Sequence, residues 1–368
     1  MAIIRPHLKK QHLNPEEMKN YRPISNLQFL SKLLEKLVAC RLEEHMEMYT
    51  LHDTYQSAYR AGHSTETAVL KLSNDIISGL DKRRITILAS LDMSAAFDTV
   101  DHSIFIHRLQ SVFGVRGTVL EWFTSYLQDR HHNIIINNKQ SNSKCMNYGV
   151  PQGSVLGARI YTMYVQPLSR IIVQHGIKYH CYADDTQLYI DCDDNSEAIQ
   201  NSIARIQNCI DDICLWMSKN ALKLNTSKTE FIIFTTKQDA HKEQTLKIGS
   251  NTICTSKHTK ILGVTFDQTM SLEQHISNVS RSAYMHIRKI NSIRHYLTDY
   301  AVKTLVQSNV LSRLDYCNVI YTGLPQKSTR RLQLTQNAAV RLATRTSYHE
   351  HIPPAFGFLL KRDVNTKH

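Results

Sequence analysis

A chain of 368 residues, 42% of them hydrophobic, can bury a sizeable core and has room for two or three domains or subdomains. Its 44 Lys and Arg outnumber 32 Asp and Glu, and the resulting charge of +12 favours a polyanionic partner without speaking to the fold. The eight cysteines form no Cys-x-x-Cys pair, no Cys/His spacing reads as a zinc finger and no apolar run approaches the ~18–20 residues of a membrane span; these patterns argue against a disulfide scaffold, a zinc module and a membrane protein, and for reduced thiols inside the cell. No secretory signal is visible at the start.

In chain order, Phe29, Leu30, Leu33, Leu34, Leu37, Val38 and Leu42 share one face and predict an amphipathic helix. Ser64 is placed to cap a second helix with the stripe Val69, Leu72, Ile76 and Leu80. Arg84 to Asp92, RITILASLD, reads as an apolar strand ending on an acid. Helices follow over 102–113 and 119–127, divided by Gly114 and Gly117, and Ile134–Ile136 reads as a short strand. Tyr148 to Ser154, YGVPQGS, has a backbone that can approach a ligand closely, with Ser154 capping a helix over 155–165. After a strand–turn–strand pattern over 178–190, apolar residues at Ile199, Ile203, Ile206, Ile210, Ile213 and Met217 predict a long helix capped by Ser196, which should pack under the sheet. Residues 231–234 and 261–266 read as further strands, and the rest as mainly helical, with breaks near Gly323–Pro325 and at Pro353 and Pro354. Acid-bearing strands with helices on one face make an α+β domain around an antiparallel sheet.

Two acids dominate the chemistry. Asp184 and Asp185 sit side by side at the tip of the predicted hairpin, where like charges repel unless a cation lies between them. A pair of Mg²⁺ ions about 3.5–4 Å apart removes that cost and serves phosphoryl or nucleotidyl transfer. Asp92 reaches the same place only if its strand pairs with the hairpin. The plainer alternatives are a helix N-cap for Asp92 and an acidic turn for Asp184–Asp185, and neither accounts for strands that run apolar right up to their acids.

LDMSAAFDTVDH, then GVPQGSVLG, then YADDTQLY resemble in order the reverse transcriptase of non-LTR (LINE-type, Jockey-like) retrotransposons. The resemblance extends to NYRPISNL from Asn20, QSAYR from Gln56, HSTET from His63, WMSKNALKLNTSKTEFIIF from Trp216, LGV from Leu262, SRLDYCN from Ser312 and QNAA from Gln336. It covers about Pro6 to Pro354 and implies a right-hand polymerase: fingers and palm over 1–266, then a basic helical thumb or C-terminal region over 267–368, truncated. That last region suits a phosphate backbone, since residues 269–368 hold 14 Lys and Arg against 5 Asp and Glu.

The implied activity is RNA-directed DNA polymerisation with Mg²⁺, or Mn²⁺, on an RNA template, from a DNA primer and deoxynucleoside triphosphates, with no membrane and no obligate protein partner. Asp92, Asp184 and Asp185 would hold the metals, with the Met93 carbonyl a further ligand. Phe97 resembles the family's aromatic gate against the ribose 2′-hydroxyl, or is a core residue. Gln152 and Gly153 would line the template–nucleotide pocket; Lys228 would act near the triphosphate, or be a surface lysine; Arg22 and Arg60 would meet phosphates from the fingers. The resemblance implies nuclear action.

Two features depart from the family. Arg159 follows Gly157-Ala158 where the family reads proline and apolar residues, and a buried unpaired arginine is costly. The resemblance implies an endonuclease domain before the polymerase, which this chain is expected to lack, and the tail after Pro354 no longer resembles the family. The competing expectation is therefore an inactive retroelement remnant that only binds nucleic acid. A nucleotidyl cyclase is disfavoured, because its glycine-rich hairpin is missing and finger motifs have no place in it.

Overall fold

The computed structural model describes residues 2–10, 13–94, 97–136, 139–236 and 243–347, so the expected break at Pro353 and Pro354 and the tail lie outside the described residues. The order opens with β1 (Ala2–Leu8), β2 (Tyr21–Asn26), α1 (Phe29–Met48) and α2 (Thr65–Asp81). Next come β3 (Arg84–Leu91), β4 (Met93–Ser94), α3 (His102–Ser111), α4 (Gly117–Leu127), β5 (His131–Ile136), β6 (Lys139–Gln140) and β7 (Lys144–Cys145). They are followed by α5 (Gly157–Val165), α6 (Leu168–Gln174), β8 (Lys178–Tyr182), β9 (Asp185–Asp193), α7 (Ser196–Lys219), β10 (Lys223–Leu224) and β11 (Glu230–Phe234). The rest comprises β12 (Thr245–Ile248), β13 (Asn251–Cys254), β14 (His258–Ile261), β15 (Val264–Asp267), α8 (Glu273–Ser292), α9 (Asp299–Val306), α10 (Ser312–Asp315) and α11 (Gln326–Thr344).

The class is α+β, and the chain divides into two compact units. The first spans Met1–Ser64, Ile87–Phe231 and Glu243–Thr255; the second spans Thr65–Thr86, Ile232–Lys242 and Ser256–His368. The acids lie on a four-stranded sheet of order β11-β3-β9-β8, in which β8 and β9 form an antiparallel hairpin with Tyr182 opposite Asp185. Strand β3 is buried from Ile85 to Ala89, and it neighbours β9, so the two acid-bearing strands do lie side by side. The six apolar positions of α7 are all buried, and its cap is Asn195, whose side chain accepts from the Ala198 amide at 2.8 Å; the expected cap Ser196 is one residue late.

A second sheet in the first unit is mixed: β1 pairs antiparallel with β2 and parallel with β5. The second unit has its own core, with Ala283, Val302, Val306, Val310, Ala339 and Ala343 drawn from α8, α9, α11 and the turn of helix between α9 and α10. Its hairpin β14–β15 turns at Leu262-Gly263, both with positive φ (47° and 86°), in the middle of the segment read as continuous strand.

The expected face of α1 is overturned. Phe29, Leu30 and Leu37 are 78%, 73% and 62% exposed, while Glu35 on the opposite side is 1% exposed. The apolar residues do not share one face: Leu42 lies on the buried side with Glu35, Ala39 and Met46, whereas Phe29, Leu30, Leu33, Leu34 and Leu37 are exposed.

Candidate active site

Asp92 stands half-buried just past the end of β3. It is not a helix N-cap, because the two-residue strand β4 follows it and Asp101 caps the next helix by accepting from the Ile104 amide at 3.0 Å. The segment after α7 laces back over it: Met93 pairs with Leu224, and the Asn225 amide donates to the Asp92 carbonyl at 2.8 Å. One carboxylate oxygen, Oδ2, accepts from Asn225 Nδ2 at 2.9 Å and from Lys228 Nζ at 3.0 Å. Lys228, a surface lysine in one of the two readings, is 66% exposed yet directed onto an acid. Asn225 went unnoticed in the sequence, and the turn residues NTSK before an apolar strand were its only signal.

Asp184 lies in the turn of the β8–β9 hairpin and Asp185 opens β9, opposite Tyr182. Burial, then the charges of Asp184 and Asp92, push the Asp185 carboxyl up to about 6. Asp184 is raised by burial and by Asp92, against the pull of Lys228 and Arg22. Asp92, Asp184, Asp185, Lys228 and Arg22 therefore share one electrostatic neighbourhood with an excess of negative charge. Its donors are hard oxygens, the set that suits Mg²⁺ rather than a soft metal. No group of three or more His, Cys, Asp or Glu among the described residues forms a ready metal cage, so the fit rests on charge and donor chemistry.

The hairpin tip is held by the segment 55–58. The Cys181 amide donates to the Tyr55 carbonyl at 2.8 Å and the Ser57 amide to the Cys181 carbonyl at 3.0 Å. Ala183 takes a left-handed conformation (φ 57°), and its amide donates to Gln56 Oε1 at 3.1 Å. An alanine in that region costs of order 1–2 kcal/mol, which the Gln56 contact offsets. Gln56 is a second residue whose part was invisible in the sequence.

Phe97 is half-buried, its ring centroid 4.9 Å from that of Tyr161, and its carbonyl accepts from the Val150 amide at 2.8 Å. The Tyr161 hydroxyl donates to Met93 Sδ at 2.8 Å, so the buried Met93 side chain anchors the base of the same site. Burial first, then Asp184, holds the Tyr161 phenol well above its usual range. Gln152 Nε2 donates to Asp98 at 3.2 Å, and the Gln152 carbonyl accepts from the Ser25 amide at 2.8 Å. Gly153 (φ 116°) is crowded as well as twisted, since a Cβ there would come within 2.9 Å of the Ser25 carbonyl oxygen.

Arg22 is exposed on β2, whereas Arg60 turns to the Asp53 carbonyl at 3.2 Å, in a loop with Glu43 and His52 nearby. Arg159, expected as a costly unpaired charge, is half-buried and paired with Glu43 at 3.4 Å. No helix among the described residues is long and apolar enough to cross a membrane.

With this geometry in place, comparison with known proteins gives a consistent result. The family described as "Reverse transcriptase (RNA-dependent DNA polymerase)" matches residues 8–266. The "Probable RNA-directed DNA polymerase from transposon BS" of Drosophila melanogaster is 28% identical over 360 residues, 95% of this chain and 38% of that protein. The "RNA-directed DNA polymerase from mobile element jockey" of the same fly is 24% identical over 287 residues, 76% of this chain and 30% of that one. The match thus spans only 30–38% of the length of these relatives. Among solved structures, telomerase from Candida albicans with a fragment of telomeric RNA aligns at a TM-score of 0.48 and 10% identity, over 94% of this chain and 59% of that one.

Proposed function

Because this chain belongs to the reverse transcriptase (RNA-dependent DNA polymerase) family, with LINE-type retrotransposon polymerases as its relatives, we propose that it extends a DNA primer on an RNA template from deoxynucleoside triphosphates. The family is a right-hand polymerase that works with divalent metal ions. In the reaction the primer 3′-oxygen bonds to the α-phosphorus, the bond to the β-phosphate bridging oxygen breaks, and pyrophosphate leaves while the hydroxyl proton passes to solvent. The supporting observation is the meeting of Asp92, Asp184 and Asp185 with Lys228, acids that stand 92 residues or more apart in sequence apart from the adjacent pair.

Asp92, Asp184 and Asp185 would hold Mg²⁺ or Mn²⁺, with the Met93 carbonyl as a further oxygen. Bound there, the ions would supply the Lewis acidity that activates the 3′-oxygen and offsets charge on the leaving phosphates. Lys228 would stabilise triphosphate charge, shifting from Asp92 once a cation relieves that carboxylate. Phe97, braced on Tyr161, would exclude a ribose 2′-hydroxyl, and Gln152 and Gly153 would face the template–nucleotide pair. Arg22, whose charge acts on Asp184, would meet phosphate, and Arg60 would contribute as well. Residues 1–266 would form fingers and palm and 267–368 the thumb, acting in the nucleus. The remnant reading loses its main support in the side chains, since Arg159 has a partner.

The test is Mg²⁺-dependent primer extension on an RNA template by the purified chain, with Asp184→Asn as control. Extension by the parent and a loss of at least about 10³-fold in the variant are expected. A folded, RNA-binding parent that extends nothing would sink the polymerase reading.

A further inference from the structure

Glu35 is a buried carboxylate with no part in the chemistry above. It sits on α1, 1% exposed, and takes four hydrogen bonds. Oε2 accepts from Ser154 Oγ at 2.9 Å, from the Val155 amide at 2.7 Å and from the Leu156 amide at 3.5 Å. Oε1 accepts from the Tyr126 hydroxyl at 3.1 Å. Ser154 Oγ lies 2.9 Å from the Tyr126 hydroxyl and accepts from the Gly157 amide at 3.0 Å, at the start of α5.

All of these donors but Tyr126 belong to the chain immediately after Gln152 and Gly153. The loop's other end is fixed separately, by the Gly149 amide on the Val100 carbonyl at 2.7 Å and the Val150 amide on the Phe97 carbonyl at 2.8 Å. Between these anchors the Gln152 carbonyl meets the amide of Ser25, the next-to-last residue of β2, the strand that precedes α1. A carboxylate withdrawn from water keeps its place only when its lone pairs are filled, and here the far end of the loop fills them.

We infer that Glu35 is a positioning residue for the nucleotide pocket: by accepting from Ser154 and Val155 it fixes where the Gln152–Gly153 backbone stands. The inference rests on the polymerase reading for its kinetic consequence, but not for its structural one. Geometry rather than charge carries the role. A glutamine can keep Oε1 on Ser154 and Val155 and donate Nε2 to the Tyr126 oxygen, whose own proton turns to Ser154 Oγ. A leucine of similar size can do neither.

The experiment compares the full chain with Glu35→Leu, Glu35→Gln and Ser154→Ala, each confirmed folded by circular dichroism. Steady-state primer extension should show the KM for deoxynucleotide raised about tenfold by Glu35→Leu with kcat changed less than about threefold, and Glu35→Gln within about threefold of the parent. Hydrogen exchange of the amides at 153–157 should quicken in Glu35→Leu and return to the parent rate in Glu35→Gln. Parent-like KM in folded Glu35→Leu, or equal losses in the Leu and Gln variants, overturns the inference. If the parent extends no primer, the polymerase reading fails while exchange still decides this one: unchanged exchange in Glu35→Leu overturns it. If Glu35→Leu does not fold, Ser154→Ala takes its place, and parent-like exchange at 155–157 there overturns the role.

Discussion

Two ionisable side chains, the half-buried Asp185 and the buried His275, are both pushed toward neutrality, yet for reasons that separate a candidate site from a structural one. Asp185 is raised to about 6 by burial together with two neighbouring carboxylates, a cost that a bound cation would remove. His275 is lowered to about 4 by burial and by Lys260. Its Nδ1 accepts from the Thr265 amide at 3.3 Å, so protonation would set two N–H groups against each other, near the positive end of α8. A histidine whose folded pKa lies below its unfolded value stabilises the fold above about 6.5, and that contribution is lost as pH falls toward 4. A drop from 6.5 to about 4 corresponds to about 3 kcal/mol for this 3%-exposed group. Urea unfolding between pH 7 and pH 4 should therefore show Glu- and Asp-independent destabilisation of about that size in the parent and a flatter curve in His275→Gln, whose amide oxygen can still accept from Thr265. Parallel curves for the two proteins would show that another group carries the acid sensitivity.

At the scale of elements, the loop 149–154 shows what close approach demands of the chain. Gly153 combines φ 116° with a Cβ position 2.9 Å from the Ser25 carbonyl, whereas Gly62 has φ 71° and open space around it. Gly153→Ala should cost about 1–3 kcal/mol and Gly62→Ala nearer 1, read as shifts in urea midpoint; equal shifts would mean that crowding against Ser25 contributes nothing. This loop was legible in the sequence as glycines and a proline before a helix, though α5 starts at Gly157 with Leu156 and not Ser154 at its N-cap position; α7 and the acid-bearing strands were legible because local periodicity and burial agree there. In α1 the apolar residues wrap around more than one face, so Leu42 is covered beside Glu35 while Phe29, Leu30 and Leu37 stay exposed, and no local pattern says which side is covered. Glu35 is buried only because its donors arrive from about 120 residues downstream, a pairing that no local pattern contains. Asn225 and Gln56 escaped notice for the same reason: each is an ordinary turn or loop residue until tertiary structure sets it against Asp92 or Ala183. The Leu262-Gly263 turn was missed because leucine at positive φ is not a usual turn signal.

For the whole molecule, the charge of +12 is concentrated toward the C-terminal end, where 14 Lys and Arg face 5 Asp and Glu over residues 269–368. Not all of those cations are equally available to a ligand. Arg294 and Arg345 both turn to Asp299, at 2.5 and 3.3 Å, and Arg331 lies 3.9 Å from Glu273. Arg281, Arg288 and Lys289 are instead exposed along α8, whose other face packs into the core of the second unit through Ala283 and Ile290. A helix fixed by its apolar side presents these three charges as a rigid set rather than as mobile side chains on a loop. If they meet nucleic acid backbone, each contact releases counterions, and the slope of log affinity against log salt reports how many are made. Replacing Arg281, Arg288 and Lys289 together by alanine should leave the fold and primer chemistry intact, weaken RNA–DNA duplex binding and reduce the magnitude of the salt slope by about 2–3, since each lost phosphate contact removes about 0.7–0.9. Binding measured by fluorescence anisotropy from 50 to 300 mM KCl gives that slope directly. A variant with weaker binding but the parent's slope would place the phosphate contacts elsewhere and reduce α8 to a solvated surface.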